Sequence, residues 1–353
     1  MSLFKALVLT KSEPLYGGHS SYYTQAFRFG AGEEIKARTI KPGRSFFGRV
    51  IGKIFSTFIK SAARDQNLGF AECRFLLQEG MARNSVCHIA AVEDHLPLLH
   101  FIRQQKKRWI GTVHFPPSCW GEEEIGDLGK LGCIITFCER DRAYFSARLP
   151  ATRVACIPHG VDVDFFQPSP VGRSGPRRLL FVGKWLRDFD MAGAVLCACL
   201  EKWEDVEVDI VVERRWAAGT KLDTLAALSR VQWHEKVSDE ALCKLYQQAS
   251  LLVMPLKETS ANNAIVEALA CGLVPVTNRV GGITDYGGDE VYPICTTNAL
   301  EEYMRIISDY LASEELRLRV SKECRNFAES RLDWRSARSQ HIALYREIAG
   351  AQK

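Results

Sequence analysis

Short apolar runs alternate with longer stretches in which apolar residues recur every three or four positions, from one end of the chain to the other. The first pattern predicts buried strands and the second predicts amphipathic helices. In the first half the strands fall at 4–9, 35–40, 86–91, 109–113, 132–137 and 153–157, with helices at 20–29, 46–63, 96–105 and 140–149. A Pro/Gly/Ser-rich stretch, 167–176 (QPSPVGRSGP), reads as a linker. Beyond it the alternation restarts, with strands at 178–182, 206–212, 230–233, 251–255 and 274–277, and a last helix at 336–348. Alternation of this kind builds parallel sheets with helices on their faces. The predicted class is α/β, with two Rossmann-like domains at 1–166 and 177–335 on either side of the linker, and a C-terminal segment, 336–353.

With 353 residues, 46% of them hydrophobic and 25% charged, the chain has the composition of a globular protein with enough core for two domains. A net charge of +4 is modest and dispersed, which argues against nucleic acid as a partner. No apolar stretch approaches the roughly 20 residues of a membrane span, and the N-terminal apolar run reads as a first strand rather than a signal peptide. The 12 cysteines form no CxxC pair, and several lie in apolar runs, as Cys133 and Cys271 do. Reduced thiols acting as small hydrophobes, in a cytoplasmic protein, are expected.

The segment 251–282, LLVMPLKETSANNAIVEALACGLVPVTNRVGG, is the most informative. It reads as a strand, a polar loop (257–262), a helix (263–270), a Gly break at Gly272, a second strand and a Gly-Gly turn. A polar loop between a buried strand and a helix N-terminus is where open parallel sheets hold ligands, and free N–H groups there suit an anion. Glu267 sits one turn after Asn263 inside an otherwise apolar run, and a carboxylate so placed needs a partner.

This segment resembles the nucleotide-sugar domain of the retaining GT-B glycosyltransferases of family four, whose signature places two glutamates eight positions apart with E-A-x-A-x-G-x-P-V after the second. Residues 267–276, EALACGLVPV, match that second half. The first half departs: eight positions before Glu267 stands Thr259, Glu258 is one residue early, and Ser260-Ala261-Asn262-Asn263 replaces the usual Phe-Gly. Weaker likenesses are Pro158-His159-Gly160-Val161-Asp162 at the domain junction, 179–184 at the start of the second domain, and 238–250 before the signature strand. The resemblance implies two Rossmann-like domains with parallel sheets facing across a cleft, and a last helix, 336–353, crossing back to the first domain.

The resemblance also implies roles for residues. Lys184 and Arg187, just after a strand, would neutralise the donor diphosphate, with Lys184 in place of the family's Arg. Pairing with Asp188 or Asp190 is the structural alternative. Gly17 and Gly18, after the first strand, would let backbone approach the donor, and His114 at a strand end would lie beside the sugar; His19, His95 and His159 are weaker candidates. Glu258, Thr259, Ser260, Asn262, Asn263 and Glu267 would bind the donor, Glu267 through the ribose. Whether Glu258 or Thr259 replaces the first signature Glu stays open. The triplets 162–164 and 188–190 match D-x-D, a pattern that arises easily, and no metal or other cofactor is expected.

Residues 41–64 place Phe46, Phe47, Val50, Ile51, Ile54, Phe55, Phe58 and Ile59 at helical spacing beside Arg44, Arg49, Lys53, Lys60 and Arg64, with no acid. Two readings stand: an interfacial helix on anionic lipid, through 44–64, and a core helix with a basic polar face. The resemblance implies metal-independent, retaining transfer of a sugar from a nucleotide-diphospho-sugar, with a sugar, glycolipid or small molecule expected as the acceptor. A non-catalytic relative serving as a binding subunit, and a sugar-nucleotide epimerase or hydrolase on the same fold, are the alternatives.

Overall fold

Strands buried on both faces read as near-continuous apolar runs, and among the described residues every pairing between the named strands is parallel. The computed structural model describes residues 4–10, 18–29, 35–42, 45–59, 65–81, 85–170 and 177–350. The chain divides into two units, Met1–His159 with Trp334–Lys353, and Gly160–Asp333.

In the first unit β1 (Phe4–Leu9), β2 (Ile35–Ile40), β3 (Val86–Ile89), β4 (Lys106–Thr112), β5 (Leu131–Thr136) and β6 (Arg153–Cys156) form one sheet in the order β2-β1-β3-β4-β5-β6. In the second, β7 (Arg177–Val182), β8 (Val206–Val211), β9 (Val231–His234), β10 (Leu251–Met254) and β11 (Val274–Thr277) are ordered β11-β10-β7-β8-β9. The strands lie within two residues of the predicted positions, except that β4 begins three residues early, at Lys106, on residues that are not fully buried and so carry no apolar signal. Helices fared less evenly. The stretch 20–29 is helical only over Tyr22–Gln25, since Tyr22 and Phe27 both turn into one buried aromatic cluster. Helix 46–63 is observed as Phe46–Phe58, with 60–64 outside the described residues.

The boundary between units falls at His159/Gly160 rather than after 166. Val161, Val163 and Phe166 are buried in the second unit's core. Arg325 holds this segment by donating from Nη1 to Phe166 O and Ala270 O, both at 2.7 Å, and from Nη2 to Val163 O at 3.0 Å. Of the expected linker, 171–176 lie outside the described residues.

The last helix, Trp334–Gly350, belongs to the first unit and packs on β3 and β4. A buried polar chain ties it there. Burial holds His341 down from the usual 6.5 to about 4 and His88 well below its ordinary value, so both rings are neutral. His341 Nδ1 faces Ala337 O at 2.7 Å and must donate, so Nε2 accepts from the Tyr22 hydroxyl at 2.8 Å. Tyr22 in turn accepts from Thr112 at 2.7 Å, Thr112 accepts from His88 Nε2 at 2.8 Å, and His88 Nδ1 accepts from Tyr345 at 2.5 Å. Every link has one consistent donor.

Because both folded-state values are depressed, this chain contributes stability above about pH 6.5, lost as pH falls through about 4. Urea unfolding between pH 4 and pH 7 should show that loss, and His341→Gln should flatten the slope by up to about 1.4 kcal/mol per pH unit, one proton's worth. An unchanged slope in a folded variant would mean that His341 titrates alike in both states.

Candidate functional site

In the second unit the chain runs β7, β8, β9 outward in one direction and then returns to place β10 and β11 on the other side of β7. The strand order therefore reverses between β7 and β10, and ligands bind beyond the carboxyl ends of strands at such a reversal. The loops there are 183–188, after β7, and 255–262, after β10. Backbone bonds join them: Lys257 N–H to Leu186 O at 2.9 Å and Asp188 N–H to Pro255 O at 3.0 Å, with Arg187 and Leu256 forming an antiparallel bridge. The sharp turn out of β7 needs Gly183, whose φ is +91° and whose missing Cβ would lie 2.9 Å from Arg187 Nη2.

This geometry fixes Arg187. Its Nε donates to Val182 O at 3.1 Å, Nη1 to Trp185 O at 2.8 Å and Nη2 to Asn262 Oδ1 at 3.0 Å. A guanidinium has five donors, so two remain without a partner among the described residues. Burial lowers Arg187 to about 10, a shift opposed by Tyr246 and Glu267, so it stays a cation at neutral pH. Asn262 caps helix Asn263–Ala270, accepting from Ile265 N–H at 3.4 Å, while its buried Nδ2 has no hydrogen-bond partner among the described residues. Glu267, one turn on, is 7% exposed and accepts from the Tyr246 hydroxyl at 2.8 Å. Burial first, then Glu267, pushes Tyr246 well above its ordinary pKa, so it stays a donor.

Thr259 and Ser260 are buried and Glu258 is half-buried. Thr259 donates from its hydroxyl to Ala261 O at 3.0 Å and from N–H to Glu258 Oε1 at 2.9 Å. Its carbonyl accepts from Gly282 N–H at 3.1 Å, so the Gly-Gly turn backs this loop. Asn278 anchors the loop's start through paired bonds of 2.9 Å with the Leu256 backbone, imitating one more residue of sheet. Asn263, the first helical residue, is exposed.

The site thus gathers Arg187, Asn262 and Glu267 with Tyr246, on the elements carrying Glu258, Thr259, Ser260 and Asn263. Lys184 is not gathered with them. It is exposed, its ammonium 4.2 Å from the centre of the Trp216 ring. The aspartates flanking Phe189 take neither cation: Asp188 caps helix Phe189–Lys202 and accepts from Asn298 at 2.8 Å, and Asp190 accepts from Lys221 N–H at 2.9 Å. Asp162 accepts from the N–H groups of Asp164 and Phe165, at 3.2 and 3.1 Å.

His114, Gly17 and Gly18 belong to the first unit. Gly17 lies outside the described residues, and Gly18 O accepts from Ser21 N–H at 3.1 Å, starting the short helix Tyr22–Gln25. His114 follows β4, donates from Nε2 to Ala90 O at 2.7 Å and stacks on Tyr23 with ring centres 5.1 Å apart. Its N–H and that of Phe115 both go to Glu93, whose carboxyl burial pushes up to about 7. His95 is deeply buried and 2.6 Å from Glu72. Sequence reasoning singled out neither Tyr246 nor Glu93. Tyr246 had a signal, a hydroxyl at a core position of helix Asp239–Gln248, while Glu93 had none.

Residues 176–312 match the family described as Glycosyl transferases group 1. The GDP-mannose:cellobiosyl-diphosphopolyprenol alpha-mannosyltransferase of Xanthomonas campestris is 21% identical over 238 residues, 62% of this chain and 60% of that protein. The D-inositol 3-phosphate glycosyltransferase of Segniliparus rotundus is 24% identical over 211 residues, 55% and 47% of the two chains. The chain spans about half to three-fifths of the length of these curated relatives. Among solved structures, sucrose-phosphate synthase from Thermosynechococcus elongatus superposes with a TM-score of 0.71 at 15% identity, over 98% of this chain and 100% of that one. Anabaena HepE in complex with UDP and glucose gives 0.67 at 15%, over 97% and 99%. These likenesses establish the fold, an α/β chain of the GT-B type.

Proposed function

We propose that the protein is a glycosyltransferase taking a nucleotide-diphospho-sugar as donor and passing the sugar to an acceptor hydroxyl. One observation carries this reading: side-chain donors from two loops come together where the strand order reverses, within the segment that matches the family. They are the two remaining N–H groups of the half-buried Arg187 and the buried Asn262 amide, at the N-terminus of helix Asn263–Ala270. Such a set is complementary to a diphosphate. Glu267, held by Tyr246, supplies the acceptor that a ribose diol requires. As the sugar–phosphate bond breaks, charge grows on the diphosphate, and a preorganised cation lowers that barrier. Charge stabilisation by Arg187 needs no metal, so activity should survive a chelator. The family resemblance supports retention of anomeric configuration. The relatives' names point to a GDP-mannose-like donor and to lipid-linked or polyol acceptors.

Incubation with radiolabelled sugar nucleotides separates this reading from its rivals. Transfer supports it, free sugar or an epimer indicates the hydrolase or epimerase, and binding without turnover indicates the non-catalytic relative. Glu267→Ala should cost roughly 1.5–3 kcal/mol of nucleotide affinity, the loss of a charged hydrogen bond, and helix propensity would not suffer. Calorimetry finding unchanged affinity in the folded variant would remove Glu267 from the ribose.

A further inference from the structure

Helix Phe46–Phe58 is attached to the first unit by its smallest residues. Gly48, Gly52 and Ser56 are its buried positions. A Cβ on Gly52 would lie 1.8 Å from Gln66 O, and one on Gly69 would lie 2.6 Å from Gly52 O. The helix therefore meets helix Gln66–Met81 backbone to backbone, and that contact decides which face turns inward. At about 100° per residue, Phe55, Gly48, Ile59, Gly52 and Ser56 occupy one continuous arc. Phe55 is half-buried against the core and Ile59 is buried, so these two leave the apolar stripe expected from the sequence.

The other six bulky residues fall on the adjoining arc, about 140° wide, and face outward. Phe46, Phe47, Ile54 and Phe58 are 68%, 78%, 67% and 66% exposed, and Val50 and Ile51 are exposed as well. The half-exposed Phe101 ring, 5.2 Å from Phe58, extends this surface. Arg49 and Lys53, both exposed, border it on one side. An ordinary surface helix turns its large apolar residues inward and its small or polar ones outward; this one does the reverse. Single exposed apolar side chains are commonplace, but a contiguous face of them marks an interaction surface.

Charge identifies the occupant. Positions 41–64 carry Lys41, Arg44, Arg49, Lys53, Lys60 and Arg64 and no acid. A second copy of the chain would set those cations against their own kind, which disfavours self-pairing. A flat apolar face with a cationic border fits the headgroup–acyl boundary of a bilayer bearing anionic lipid. Among the described residues no helix is long and apolar enough to cross a membrane. We propose that helix Phe46–Phe58 docks the protein onto an anionic bilayer surface, lying in the plane of the interface. This inference rests on the helix alone and stands apart from the transfer reading.

The test is co-sedimentation of the full chain with vesicles of phosphatidylglycerol and phosphatidylcholine, against phosphatidylcholine alone. Binding is expected to the first, little to the second, and less as salt is raised, since the attraction is screened. Arg49→Gln with Lys53→Gln should weaken binding roughly 30-fold at low salt, from about one cation's contribution each. Phe47→Ser with Ile54→Ser should reduce it to background while the thermal melt is unchanged, because both side chains already face solvent. No binding of the wild type, or binding indifferent to the Phe47/Ile54 variant, would overturn the proposal. So would a lipid-free dimer that the same variant dissolves, which would assign this face to a second copy.

Discussion

Arg187→Ala should lower the turnover of sugar transfer by roughly 10²–10³-fold, the usual consequence of removing one preorganised charge donor. The residue is not a surface cation that solvent could replace. Three of its donors are tied to Val182 O, Trp185 O and Asn262 Oδ1, and these bonds set the plane in which the remaining two point. Truncation also leaves those three acceptors short of a donor, so a stability loss of about 1–3 kcal/mol should accompany it. Kinetics and melting must therefore be read together, with turnover measured at a temperature where the variant is fully folded. A loss larger in kcat than in KM is expected, because Arg187 meets a diphosphate that is already charged and whose charge grows as the bond breaks. Arg187→Lys should recover only part of the rate, since one ammonium cannot serve three acceptors in a fixed fork. If the folded alanine variant turned over as fast as the wild type, Arg187 would be a structural brace and nothing more.

Gly281→Val should weaken donor binding more than it perturbs the sheet. Gly281 has φ +55°, and a Cβ there would lie 1.6 Å from Thr259 O and 2.9 Å from Glu258 Oε1. No rotamer relieves a clash with backbone, so the loop 257–262 has to move, taking the Asn262 cap with it. The left-handed backbone adds strain of roughly 1–3 kcal/mol for a side-chain-bearing residue. Nucleotide affinity should drop about tenfold or more, measured by calorimetry beside circular dichroism of the same sample. Gly126→Ala is the control: that helical glycine has nothing within 4 Å of its would-be Cβ, and alanine there should be neutral or mildly stabilising. Equal effects from the two substitutions would show that the loop's position does not matter to binding.

Much of the scaffold was legible because its signals are local. The strands β3, β10 and β11 are short runs buried at every position, bounded by turn residues and rich in β-branched side chains, which favours strand over helix at that length. The Asn262 cap is likewise a local device, since it depends on a residue three positions away. Glu267 was readable as a carboxylate in need of a partner, because its helix neighbours are apolar. Which partner it has was not readable: Tyr246 lies 21 positions earlier, and only the packing of two helices brings the hydroxyl to it. Where the Lys184 side chain lies was not readable either. The resemblance implied a role shared with Arg187, and the structure places the ammonium over the ring of Trp216, in the short helix Arg214–Ala217 that follows β8.

The amino-acid sequence by itself determined the alternation of strand and helix, the two-unit plan, the loop chemistry between β10 and its helix, and the amphipathic character of 46–58. Each is a matter of periodicity or of neighbours within one turn. Tertiary structure alone decided where the units divide, because Val161, Val163 and Phe166 could have filled either core and Arg325 holds them in the second. It alone decided the aim of Arg187, through acceptors drawn from two loops. It also decided which way helix Phe46–Phe58 faces. An apolar stripe says only that something must cover it; the glycine contact with helix Gln66–Met81 turned the opposite face inward and left the phenylalanines to the outside.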